Sequence, residues 1–146
     1  MENPFTDDSQ ILDLVRCFES CELNPADFRH YQHLTVAFYY VRNFPYEVAS
    51  EKMRAGIKKL AAAYGKDGYH ETITLFWLMV VREFVANHPA GSNCDLVNRL
   101  IADCTGKNLI GGYYSEALLA TVEAKQGWLE PDLKPLNCAV ESVPST

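Results

Sequence analysis

Apolar residues recur every three to four positions along nearly the whole chain, the period of an amphipathic helix. From Ser9 to about Cys21, Ile11, Leu14, Val15 and Phe18 form one stripe, and Asp7, Asp8 and Ser9 precede it as caps. Asn24-Pro25 opens a short turn through Phe28. A second helix runs from Arg29 to Arg42, with His30, His33, Leu34, Ala37 and Val41 on one stripe; Asn43-Phe44-Pro45 closes it. The third, Tyr46 to Tyr64, puts Tyr46, Ala49, Met53, Ile57 and Leu60 on one face and Glu51, Arg54 and Lys58 on another. Gly65 then supplies a left-handed stop.

The fourth helix, from Tyr69 or His70 to Ala86, is apolar nearly all round (Ile73, Leu75, Phe76, Trp77, Leu78, Met79, Val80, Val81, Phe84), a pattern that predicts a central position. Ser92 caps a helix of Cys94 to about Asp103, and Ser115 with Glu116 begins a last helix to about Gln126. No stretch alternates convincingly enough for a strand. The pattern therefore predicts an all-α, compact up-down bundle of five to six helices with the fourth helix central. It forms a single domain over residues 1–136, with 1–8 as a flexible lead-in and 137–146 as a disordered tail.

Composition narrows the partners. A net charge of −6 leaves no basic surface for phosphates, which argues against nucleic acid. No apolar run is long enough for a membrane span, and the polar, acidic Met1–Ser9 does not read as a signal peptide, so a cytoplasmic location is the expectation. The five cysteines (Cys17, Cys21, Cys94, Cys104, Cys138) are an odd number without a C-x-x-C, and read as free thiols in a reducing compartment. Cys17 and Cys21, four apart, would share a helix face as small buried hydrophobes.

The candidate chemistry is in the histidines. His30 and His33 open the second helix and His70 opens the fourth, all on inward-facing positions. Imidazole is costly to bury without a partner, and it is the commonest metal ligand and acid/base side chain. Short connections make consecutive helices antiparallel, so the second and fourth start at the same end of the bundle. That order brings His30 and His33 toward His70 and Glu71, and the helix at Ser115 brings Tyr113 and Tyr114 to the same end. His30 and His33, at i and i+3, have the spacing for two ring nitrogens to reach one ion. Thr74 adds a hydroxyl, Trp77 an apolar floor, and Arg29 a cation beside the pair. Each has a plainer reading: Glu71 as a helix-dipole partner, Arg29 as a solvated arginine, the tyrosines as packing with Ser115 as a cap, and His88 as an exposed loop residue.

F-R-H-Y-Q-H-L-x-V-A, M-R-A-G-I, Y-H-E-T-I-T-L-F-W-L, Y-Y-S-E-A-L-L and P-D-L-K-P-L together resemble a family of short, uncharacterised bacterial all-helical proteins. The resemblance spans Pro25 to Leu136, implies an all-helical domain with His30, His33 and His70 as characteristic residues, and brings no established activity or cofactor.

Three functions fit these residues. One is a small-molecule enzyme, with His70, Glu71 and His33 catalytic and Arg29, Thr74, Trp77, Tyr113 and Tyr114 contacting substrate. It would work either by His acid/base chemistry or through a first-row metal (Fe or Zn) held by His30, His33 and His70. Another is a non-catalytic module for a metal, haem or a small metabolite, the three helix N-termini favouring an anion. The third is a helical interaction protein whose histidines are structural.

Overall fold

The computed structural model describes residues 4–24, 28–65, 69–105 and 108–136. Within them the chain is helical, and no strand occurs. Five longer helices come first: α1 (Asp8–Glu19), α2 (His30–Asn43), α3 (Tyr46–Ala63), α4 (Glu71–Asn87) and α5 (Asn93–Cys104). A 3₁₀ turn at Ile110–Gly112 and two short helices, α6 (Glu116–Leu119) and α7 (Val122–Gln126), follow.

The predicted caps are at the helix starts. Asp7 accepts from the Ser9 N–H at 2.8 Å, and Ser92 accepts from the Asp95 N–H at 3.0 Å. Gly65 takes the left-handed φ of +69° just past α3. The single helix expected over Ser115–Gln126 is two. Ser115 accepts from the Leu118 N–H and starts α6, whereas Thr121 turns extended and accepts from the Ala124 N–H, starting α7 afresh. Thus there are seven α-helices among the described residues, where five or six were expected.

The hub is α2 rather than α4. It packs against α1, α3, α4 and α5, and Leu34, Thr35, Val36, Ala37, Phe38 and Tyr40 are buried, covering most of its circumference. Its polar groups are satisfied locally. The Thr35 hydroxyl donates to the Tyr31 carbonyl at 2.7 Å, and the Tyr40 hydroxyl donates to Glu19 at 2.7 Å. α4 lies between α2 and α3 on one side and the C-terminal segment on the other, which explains its nearly continuous apolar surface. On that outer side Thr72 is fully buried, donating to the Gly127 carbonyl at 2.7 Å and accepting from the Leu129 N–H at 3.2 Å.

Other expectations change. Residues 1–8 are not all a loose lead-in, because Phe5 is buried and its backbone is gripped from both sides by the Asn98 side-chain amide at 3.2 and 2.9 Å. Residues 1–3 and the expected tail, 137–146, lie outside the described residues. Cys21 lies past the end of α1 with a left-handed φ of +60°, so Cys17 and Cys21 do not share a helix face. Cys17, Cys21, Cys94 and Cys104 are free thiols; Cys138 is outside the described residues. His88 is half-buried rather than exposed, stacked on the Phe84 ring at 4.1 Å with Nδ1 at 2.8 Å from the Phe84 carbonyl. Among the described residues no helix is long and apolar enough to cross a membrane.

Candidate functional site

The parallel course of α2 and α4 follows from their contacts at both ends. His30, at the start of α2, meets Trp77 with ring centroids 4.6 Å apart, and Phe38 further along meets Phe84 at 6.3 Å. The beginnings of both helices, with the middle of α3, line a cavity of about 310 Å³ that is open to solvent on one side. Its walls are His30, His33, Leu34 and Ala37 of α2, Met53 and Ile57 of α3, Tyr69 and His70 before α4, and Ile73, Thr74, Trp77 and Leu78 of α4. All three predicted histidines therefore face one space, together with Thr74 and Trp77.

They do not do the same thing there. His70 is the N-cap of α4: its Nδ1 accepts from the Ile73 N–H at 3.1 Å. Its Nε2 lies 2.7 Å from the Leu119 carbonyl oxygen, which can only accept, so Nε2 carries the proton. Both nitrogens are spent, and His70 has no lone pair left for a metal or a substrate proton. Among the described residues no three His, Cys, Asp or Glu side chains are grouped to hold a metal ion, so the expected His30–His33–His70 ligand set is not formed. An iron or zinc ion on His30 and His33 alone would need further ligands from elsewhere. The cavity is at the small end of the range for ligand sites.

His33 is half-buried beside Phe28, with ring centroids 4.0 Å apart. Desolvation, and after it the nearby His30, hold its pKa down to about 4 against the opposing effect of the Phe28 backbone. It is therefore neutral at neutral pH, and a weak base. His30 stands exposed at the mouth, its pKa also lowered by partial desolvation.

Glu71 is outside the cavity wall. Burial alone would raise its carboxyl, but the Arg54 guanidinium and the Tyr69 hydroxyl hold it below the usual carboxylate range. Arg54 Nε bonds both Glu71 oxygens at 3.0 and 3.2 Å, and Nη2 bonds Oε2 at 2.7 Å. With 26% and 14% of their side chains exposed, this pair clamps α3 to α4 and is shielded enough to matter. The Tyr69 hydroxyl also donates to Glu71, and burial followed by that carboxylate pushes its pKa up. Glu71 is thus bonded to Arg54 and Tyr69 and does not line the cavity.

The remaining candidates separate in the same way. Thr74 is on the wall, its hydroxyl donating to the His70 carbonyl at 2.8 Å. Tyr113 and Tyr114 pack on Phe76, away from the cavity; Tyr114 is buried and donates to the Leu129 carbonyl at 2.6 Å, while the Lys134 ammonium lies 4.4 Å from the Tyr113 ring centre. Arg29 is exposed as the N-cap of α2, its N–H donating to Gln32 Oε1 at 2.9 Å, and does not line the cavity.

Sequence reasoning missed Met53, Ile57 and Tyr69 as wall residues and Arg54 as the partner of Glu71. Met53 and Ile57 carry a signal, since they share the inward stripe of α3; Arg54 carries none, being one of several charges on the opposite face. Compared with protein-family models, with curated proteins and with solved structures, the chain matches none.

Proposed function

We propose that this protein binds a small, mainly apolar organic molecule in the cavity between α2, α3 and α4. The observation that carries this reading is the composition of the wall. Apolar and aromatic side chains dominate it, none of its described residues is Asp, Glu, Lys or Arg, and the few polar groups converge from the starts of two helices. A preformed, mainly apolar cavity of this kind gains affinity from apolar burial and orients its ligand through one or two hydrogen bonds. An anion, the ligand that helix N-termini alone would favour, finds the α4 terminus already capped by His70.

Ligand-observed NMR with a set of small aromatic fragments tests this, using the native protein and Ala37→Leu. Ala37 is 3% exposed and lines the cavity, so leucine grows into it. Fragments are expected to bind the native protein and to lose binding in Ala37→Leu. Equal binding to both, or none to either, contradicts the proposal.

A second reading, an acid/base enzyme, is favoured by the juxtaposition of His30 and His33. His33 would orient substrate as a neutral imidazole, and His30, exposed at the mouth, would exchange protons with solvent. It requires His30 to titrate within the pH range of any activity found, which ring-proton NMR measures. A His30 that stays neutral throughout that range removes this reading and leaves the binding one intact.

A further inference from the structure

Behind the mouth, the polar groups on the cavity wall share one property: their protons are already used by the protein. Tyr69 donates its hydroxyl to Glu71, and Thr74 donates its hydroxyl to the His70 carbonyl at 2.8 Å. His70 gives its ring N–H to Leu119 and spends its other nitrogen on the Ile73 N–H. His33 sits against Phe28, whose backbone raises its pKa as a carbonyl taking the ring N–H would, an arrangement that leaves the second nitrogen with a lone pair. Tyr69, Thr74 and His33 thus offer acceptors and no donors, and only His30, at the mouth, keeps a free choice.

We infer, building on the binding role proposed above, that the ligand class is an uncharged ring compound bearing an N–H or O–H donor. An acceptor-only or anionic group seated beyond the reach of His30 would face lone pairs without a proton between them, and a buried mismatch of that kind is selected against more strongly than a missing methylene. A cation would find acceptors but no counter-charge among the described wall residues. His33 itself reports this, since its surroundings resist a positive charge on the ring. The ring follows from Trp77, Tyr69 and the Met53 thioether, which favour aromatic partners over flexible chains.

Isothermal titration calorimetry of the native protein at pH 7.5 tests this with matched probes. Indole carries the donor, benzofuran has the same shape with an acceptor oxygen in its place, and benzoate and benzylammonium carry the charges. Indole is expected to bind about tenfold tighter than benzofuran, ~1.4 kcal/mol and so the size of one hydrogen bond. The two ions are expected to bind more weakly still, and indole binding is expected to vanish in Ala37→Leu. If benzofuran equals indole, or benzoate or benzylammonium exceeds it, the donor class is overturned while the cavity remains the site. If no probe binds, or if indole binds Ala37→Leu unchanged, the binding role fails and this inference with it.

Discussion

The ring of His70 bonds the carbonyl of Leu119 at 2.7 Å across 49 residues of sequence, fastening the start of α4 to the end of α6. Because its other nitrogen caps α4, one imidazole ties the helix that forms one cavity wall to α6, which lies off that wall, and both its nitrogens are occupied in doing so. The histidine that looks most functional by position has both ring nitrogens in hydrogen bonds of the fold.

His70→Ala should therefore weaken the fold. The lost cap and the lost bond to Leu119 together cost about 2 kcal/mol, and His70→Asn, which can still cap, should recover about half of that. Urea denaturation of the three proteins measures it. A His70→Ala variant of native stability that has lost ligand binding would restore His70 to the functional set.

His33 makes stability depend on pH. Its folded pKa of about 4 is below the ordinary 6.5, so the unfolded chain takes up the proton first as pH falls. The contribution is complete above pH ~6.5, is lost progressively down to ~4, and amounts to up to about 3 kcal/mol. His30 and Glu71, both lowered, add losses of the same sign, so the informative quantity is the difference between native protein and His33→Leu. Its slope between pH 7 and 4.5 should be positive with pH; a flat difference contradicts the assignment.

Gly56 lies inside α3, where glycine ordinarily costs about 1 kcal/mol relative to alanine. Here alanine should be worse. A Cβ at Gly56 would clash with Phe18 Cε2 and Cζ, and Phe18 is 1% exposed and stacked on Phe28 with centroids 4.9 Å apart, which leaves the ring little room to move. Gly56→Ala should destabilise by about 1–3 kcal/mol, read from the thermal or urea midpoint. A more stable Gly56→Ala would show that helix propensity outweighs the contact.

The sequence made some of this legible and hid the rest, for reasons that differ by residue. Helix starts at Ser92 and Ser115 and the stop at Gly65 are local chemistry, and the convergence of His30, His33 and His70 follows from short connections alone. The central place of α2 was hidden because Thr35, Tyr39 and Tyr40 look polar until their hydrogen bonds and packing are seen. The roles of His70 and Glu71 were hidden because each depends on a distant group, the Leu119 carbonyl and the Arg54 guanidinium, that no periodicity marks. The break between α6 and α7 was hidden because Thr121 fits a helix interior as well as a cap.

The central claim is that the space between α2, α3 and α4 is a ligand site. The most direct measurement is the set of intermolecular nuclear Overhauser contacts from bound indole to assigned side chains. The account predicts contacts to the Trp77 ring, the Met53 methyl and the Ile57 and Leu78 methyls, all on the cavity wall. Contacts confined to Tyr113, Tyr114 or other residues outside that wall would contradict it.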